Sequence, residues 1–200
     1  MSKPVIAVDI DEVLSPLRDV VLAHHNEEYG TNFPVGGPEA HYFLSDYTGD
    51  SDEVIKAKLS RFVDSEAFRN IKPLEQAVEV LGKLEQRFEI IVVTARQDFY
   101  YDVTQEWLKR HFPGVFKSAH FTDYSVGTEL KIPKSQVCRE NGASYLVDDS
   151  LKNTAEVAAA GLDAILFGDY PWNQADELPD GVTRCKDWPA VLEYFQQVTI

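Results

Sequence analysis

The chain has little cysteine and methionine: two cysteines and one methionine among 200 residues. Two thiols do not staple a chain long enough to build its own core, so a disulfide framework is not expected. Cys138 stands four residues after Lys134 on an expected helix. With no histidine patterned beside it, it reads as a buried structural thiol rather than a nucleophile. Long apolar runs are also missing, and none approaches the roughly 20 residues that span a bilayer. Met1 to Lys3 lead straight into an apolar strand without the features of a secretory signal, so a cytoplasmic location and no membrane partner are expected. Positive charge is scarce: 19 Lys and Arg face 33 Asp and Glu, for a net charge of -14. That excess of acid argues against a nucleic-acid polymer or an anionic membrane as partner. A small anionic substrate is compatible with it, provided its site is locally positive. His24, His25 and His41 fall at no metal-ligand spacing and read as packing or solvated side chains.

What the chain does have is a short apolar run, Pro4 to Leu14, that ends in two carboxylates, Asp9 and Asp11. Val5, Ile6, Ala7 and Val8 are apolar without alternation, which suits a parallel strand covered on both faces. Where such a strand ends and the chain turns, both acids can be aimed into one crevice. Close carboxylates need a divalent cation, a shared proton or a neighbouring Lys or Arg. Read alone, the pair could equally cap a turn. Three later stretches repeat the pattern of a polar group at a strand end or helix start: Ile90 to Arg96 with Thr94, Lys134 before a helical run, and Tyr145 to Ser150 with Asp148 and Asp149.

Between the first acids and the second core strand the sequence changes character. Leu17, Val20, Val21 and His24 recur at helical spacing up to Gly30. A stretch rich in turn formers and aromatics follows, with Phe33, Phe43 and Tyr47, and these aromatics read as packing for a small core or as a substrate sandwich. Ser51 is placed to cap the next helix, where Val54, Ile55, Leu59, Phe62 and Val63 form an apolar stripe. Residues 16–72 thus read as a small helical cap inserted into a core made of residues 1–15 and 73–200. The core resumes with a helix opening at Pro73 and a strand from Phe88 to Val93. Helices are expected over Phe99 to His111, Pro133 to Asn141, Lys152 to Ala160 and Asp187 to Gln197. Strands are expected over Val115 to Phe121, Tyr145 to Val147 and Leu162 to Phe167, with a loop from Gly168 to Gly181 carrying Tyr170-Pro171-Trp172-Asn173.

Strands alternating with helices of this length predict an α/β fold, a Rossmann-like parallel sheet with helices on both faces. Ligands of such sheets bind beyond the carboxyl ends of the strands. Asp9, Thr94 and Asp148-Asp149 are all expected there.

The series Asp-x-Asp, Thr, Lys, Asp-Asp, spread over nearly the whole chain, resembles the haloacid dehalogenase (HAD) superfamily of phosphohydrolases. The position of the insertion, the run from Phe68 to Ala77 and the run from Leu166 to Asn173 resemble its 5'(3')-deoxyribonucleotidase branch. The resemblance implies that Asp9 attacks phosphorus to form an aspartyl-phosphate and that Asp11 acts as acid, then base. Halide needs no proton on leaving, so this second acid favours a phosphatase over a dehalogenase. Thr94 with the amides of Ala95 and Arg96 would bind the phosphoryl oxygens, and Lys134 would neutralise them; the Arg96 side chain is expected either at the phosphate or paired with an acid. Asp9, the carbonyl of Asp11, Asp148 and Asp149 would hold Mg²⁺, with the choice between the last two left open. Lys134 is preferred to Lys131 as the catalytic lysine because it opens the helix leading to the Asp-Asp strand. Glu12 departs from the superfamily pattern, where Gly is common. The implied activity is that of a phosphomonoesterase on a small phosphorylated substrate, a (deoxy)nucleoside monophosphate on one reading and a sugar phosphate or other metabolite on another. A non-catalytic binding protein on the same fold is the alternative from another class.

Overall fold

The computed structural model describes residues 3–37, 39, 41, 43–123 and 132–199. Its centre is β1 (Val5–Val8), a strand buried at every position, as an apolar run without alternation requires. On one side β1 pairs with β2 (Glu89–Gln97), which pairs with β3 (Phe116–Asp123). On the other it pairs with β4 (Ala143–Asp148), followed by β5 (Asp163–Phe167) and β6 (Val182–Cys185). All five pairings are parallel, in the order β3-β2-β1-β4-β5-β6. The chain runs outward in both directions from β1, so the switch point lies between β1 and β4, the place beyond whose strand ends such sheets bind their ligands. The backbone N–H of Asp9 donates to Val147 O at 2.9 Å, which ties the two tips together.

The two faces of the sheet bury different residues of the same strands. Ile6, Val8, Ile90 and Val92 pack with α5 (Ala77–Leu84) and α9 (Trp188–Gln197) through Leu81, Trp188 and Phe195. Val5, Ala7, Ile91 and Val93 pack on the other face with α7 (Lys134–Glu140) and α8 (Leu151–Ala159) through Val137, Cys138 and Val157. Burial pushes the Cys138 thiol up to about 12, consistent with an inert structural thiol. A further core helix, α6 (Tyr101–His111), adds Trp107 and Leu108 to the first face.

Between β1 and β2 the chain forms α1 (Leu17–Tyr29), α2 (Ser45–Thr48), α3 (Asp52–Val63) and α4 (Glu66–Arg69). Left-handed Gly30 ends α1. These helices share an apolar cluster of their own, with Val21, Leu22, Phe62, Phe68 and Ile71, and Tyr100 from the segment after β2 joins it.

Several expectations need correction. Ser51 does not cap α3: its hydroxyl donates to Glu53 Oε2 at 3.1 Å instead of accepting a backbone N–H. Val54 is 42% exposed, outside the apolar stripe. The helix expected to open at Pro73 begins at Ala77, because Gln76 is left-handed (φ 63°) and the Leu74 N–H donates to Leu14 O at 2.8 Å. β2 continues past Val93 to Gln97, so Thr94 lies inside the strand, in register with Phe121. The edge strand β6 was not expected at all; it has four residues, of which Cys185 alone is fully buried, too short to show a period.

Candidate active site

The chain beyond β1 folds back on itself at once. Ile10 O accepts the N–H groups of Leu14 (2.8 Å) and Ser15 (3.0 Å), making a tight loop that projects Asp9 and Asp11 from the strand end. Glu12, where the superfamily commonly has Gly, sits in the left-handed region at φ 60°. Its buried carboxylate accepts the N–H of Arg18 at 2.7 Å, a donor of the first turn of α1. Burial pushes the Glu12 carboxyl up to about 8, against the pull of that hydrogen bond.

Lys134, the first residue of α7, is buried between the two strand tips. Its Nζ lies 2.9 Å from Asp9 Oδ2 and donates to Asp148 Oδ2 at 2.7 Å. Burial opposes its charge, but Asp148 and Asp9 outweigh burial and hold the ammonium above the ordinary lysine range. Asp9 shows the reverse balance. Burial, aided by Asp148 and Asp11, outweighs Lys134 and lifts its carboxyl to about 7. Lys134 is thus brought to the acids as expected, while Lys131 lies outside the described residues.

Thr94 is fully buried in β2. Its Oγ1 accepts the Arg96 N–H at 3.3 Å, so that amide already has a partner. Ala95 is exposed beside it. The Arg96 side chain pairs with an acid: Nε and Nη2 reach Asp11 Oδ1 at 3.0 and 2.6 Å, and Nη1 donates to Thr104 Oγ1 at 2.9 Å. Phe68 and Tyr100 lie 5.9 and 5.5 Å from the guanidinium. Of the two expected places for Arg96, the structure has the acid.

The Asp-Asp pair divides its work. Asp148 is satisfied on both oxygens, accepting from Lys134 and Asn153 on Oδ2 and from Ser150 N–H and Asn153 on Oδ1. Asp149 Oδ2 accepts the Trp172 indole N–H at 2.8 Å, but among the described residues Asp149 Oδ1 is buried without a hydrogen-bond partner, and so is Asp9 Oδ1. Burial first, then Asp148 and Asp9, raise the Asp149 carboxyl well above the usual carboxylate range. Asp9, Asp148 and Asp149 each offer a carboxylate oxygen, and the three lie within 4.8 Å of one another. Buried carboxylate oxygens without donors are costly unless a proton or cation completes them, and an all-oxygen set suits Mg²⁺. The residues therefore fit the metal that the resemblance implies.

Residues 3–197 match the family described as 5' nucleotidase, deoxy (pyrimidine), cytosolic type C protein. The chain belongs to this family. It is 29% identical over 113 residues to the 5'(3')-deoxyribonucleotidase of Bacillus subtilis strain 168, and the same figures hold for that of Bacillus phage SPbeta. Each match covers 56% of this chain and 62% of the relative, so the chain spans less than two thirds of the curated relatives it matches. Among solved structures, a haloacid dehalogenase-like hydrolase from Streptococcus pneumoniae superimposes with a TM-score of 0.69 at 16% identity, covering 97% of this chain and 99% of that one. A magnesium-bound HAD-hydrolase from Bacillus subtilis gives 0.64 at 13% identity, covering 99% and 100%. These structural likenesses establish the HAD fold.

Three side chains at this family member's site have roles that the sequence does not announce. Trp172 holds Asp149, Asn153 holds Asp148, and Glu12 fastens the loop to α1. Asn153 stands five residues from its partner on α8 and was open to a helix-start argument. Trp172 and Asp149 are 23 residues apart, and no local spacing joins them.

Proposed function

We propose that the protein is a Mg²⁺-dependent phosphomonoesterase that works through an aspartyl-phosphate on small phosphate esters, 5'-(deoxy)nucleoside monophosphates first among them. The observation that carries this reading is the pair of donorless buried oxygens, Asp9 Oδ1 and Asp149 Oδ1, beside the buried ammonium of Lys134. A binding module has no need of so much uncompensated acid in one place.

In this reading Asp9 attacks phosphorus and the ester oxygen leaves. Asp11, the less buried of the two acids, gives the leaving oxygen its proton and later takes one from the water that releases phosphate. Arg96 fixes the direction of the Asp11 carboxylate. Thr94 has accepted a hydrogen bond from Arg96 N–H, which leaves its hydroxyl proton free to turn to a phosphoryl oxygen, with the Ala95 amide beside it. Lys134 balances charge on Asp9 and on the transferring group. Asp9, the Asp11 carbonyl and Asp149 would hold Mg²⁺, which when bound would supply further positive charge at the phosphoryl oxygens. Asp148 serves Lys134 rather than the cation. Residues 16–72 form the cap, which closes over the crevice and excludes water. The family and the 5'(3')-deoxyribonucleotidase relatives support the choice of nucleotide. The acidic net charge and the lack, among the described residues, of a helix long and apolar enough to cross a membrane support a cytoplasmic enzyme without a nucleic-acid polymer as partner.

The test is phosphate release from deoxynucleoside and ribonucleoside monophosphates, sugar phosphates and an aryl phosphate, with Mg²⁺ and with chelator. Turnover of deoxynucleotides above the other esters, abolished by chelator, is expected. A folded protein that releases no phosphate from any ester in Mg²⁺ would overturn the reading.

A further inference from the structure

The segment after β5 is built around Asp149. Its short 3-10 turn, Pro171–Asn173, and the residue before it set three supports on the site. The Tyr170 hydroxyl donates to Glu12 O at 2.8 Å, the Trp172 indole N–H donates to Asp149 Oδ2 at 2.8 Å, and the fully buried Asn173 donates to Asp149 O at 3.0 Å. Arg184 on β6 locks the turn, donating from Nη2 to Asn173 O at 2.7 Å and from Nη1 to Gly168 O at 2.8 Å. Gly168 is left-handed (φ 83°), and a Cβ there would lie 2.2 Å from the Tyr170 ring, so that ring closes against bare backbone. One of these bonds, from Trp172, reaches the Asp149 carboxylate itself, and the others fix the backbone on either side of it.

Trp172 is itself held by stacking. Its ring lies 4.6 Å from that of Tyr170 with 6° between the planes, and the Arg18 guanidinium stands 4.7 Å from its centroid. Arg18 belongs to the first turn of α1, the entry of the insertion, and its side chain is only 9% exposed. The same residue gives its backbone N–H to Glu12. One helix start therefore touches both the loop after β1 and the turn that grips Asp149.

We propose that Trp172 is a positioning residue for the cation: by occupying Asp149 Oδ2 it leaves Oδ1 as the single oxygen presented to Mg²⁺, and Arg18, stacked on Trp172, makes the start of the insertion part of that support. The inference rests on the reading of Asp9 and Asp149 as cation ligands. Removing such an outer partner of a metal ligand typically costs 10- to 100-fold in metal affinity. A stacked guanidinium contributes less, and its loss should weaken binding by about threefold.

Mg²⁺ alone, titrated calorimetrically into the full chain, tests this without recourse to turnover. Wild type, Asp149→Asn, Trp172→Phe and Arg18→Ala are compared, with the melting temperature in chelator as the check on folding. Trp172→Phe keeps an aromatic ring and loses the indole N–H. It should melt close to wild type in chelator yet bind Mg²⁺ about 10-fold more weakly. Arg18→Ala should show the smaller loss, and the change in tryptophan fluorescence on adding Mg²⁺ should vanish in Trp172→Phe. If wild type binds Mg²⁺ and Asp149→Asn does not, but Trp172→Phe binds within twofold of wild type, the positioning role falls while the ligand assignment stands. Should wild type fail to bind, or Asp149→Asn bind as well as wild type, the ligand assignment falls and the positioning role with it. If Trp172→Phe proves unfolded in chelator, Arg18→Ala decides, and unchanged affinity there overturns the coupling to the insertion.

Discussion

The tips of β1 and β4 each carry two acids, and each tip treats its two acids differently. At β4, Asp148 is saturated by Lys134, Asn153 and Ser150, whereas Asp149 keeps one buried oxygen without a donor. At β1, Asp11 is gripped by Arg96 toward the more open side, whereas Asp9 shares Lys134 and keeps its other oxygen without a donor. Each tip thus has one acid satisfied by the protein's own cation and one left incomplete. The two incomplete acids each offer a carboxylate oxygen within 4.8 Å of the other's, and in the proposed mechanism they would hold the cation. An unpaired buried oxygen costs on the order of 1–3 kcal/mol, and in the proposed mechanism this contrast marks the two acids that would meet the cation.

Breaking the incomplete acid at β1 should have the largest effect. Asp9→Asn is expected to lower kcat by about 10⁴-fold or more while the melting temperature stays near or above that of wild type, because the nucleophile goes and so does a buried charge. Steady-state phosphate release with a parallel thermal melt checks both halves. Its neighbour should behave otherwise. Asp11→Asn should cost about 10²- to 10⁴-fold on alkyl phosphates and clearly less on an aryl phosphate, whose leaving group needs no proton. Equal losses on both esters would remove the acid role from Asp11.

The two satisfied acids can be compared through their cations. Lys134→Met removes the cation that two buried carboxylates share, Asp9 and Asp148, and should destabilise the chain by about 3–5 kcal/mol in urea unfolding. Arg96→Met strands only Asp11, whose side chain is 21% exposed, and should cost roughly 1–3 kcal/mol. The reverse order would mean that the β1 tip, not the β4 tip, is the more tightly balanced.

The smallest expected effect is on pH dependence. Asp9 and Glu12 hold their protons to about 7 and 8, whereas the unfolded chain gives them up near the ordinary carboxylate value. The folded state therefore binds more protons than the unfolded one between those limits, and stability must fall as pH rises from about 4.5 to 8. In chelator, a fall in melting temperature is expected between pH 5 and 8. Saturating Mg²⁺ should shrink it, since the cation favours the ionised acids. A metal-free melting temperature that rises over this range would contradict the burial of protonated acid at the β1 tip.

What could be read in advance follows the range of the interactions. Both tips are short runs in which an apolar strand and its terminal acids are adjacent in the chain, so Asp9, Asp11, Asp148 and Asp149 were legible, as were Thr94 and Lys134 at the next element boundaries. The central parallel strand followed from the lack of alternation over Val5 to Val8. The division of labour was not legible. Arg96 meets Asp11 across 85 residues and Trp172 meets Asp149 across 23, contacts that the β3-β2-β1-β4-β5-β6 order creates and no spacing announces. The left-handed Gln76 and the four-residue β6 failed for a different reason: backbone hydrogen bonds to distant loops and strands outweighed local preference.

The central claim is that the incomplete acid at the β1 tip is the nucleophile. Quenching the enzyme during turnover of a deoxynucleoside monophosphate in Mg²⁺, reducing with tritiated borohydride and mapping the labelled peptide tests it most directly, because reduction of an aspartyl-phosphate leaves homoserine in place of the aspartate. The mechanism predicts one labelled position, residue 9, with the label absent in Asp9→Asn. Label at another carboxylate, or none at all from an enzyme that is turning over, would contradict it.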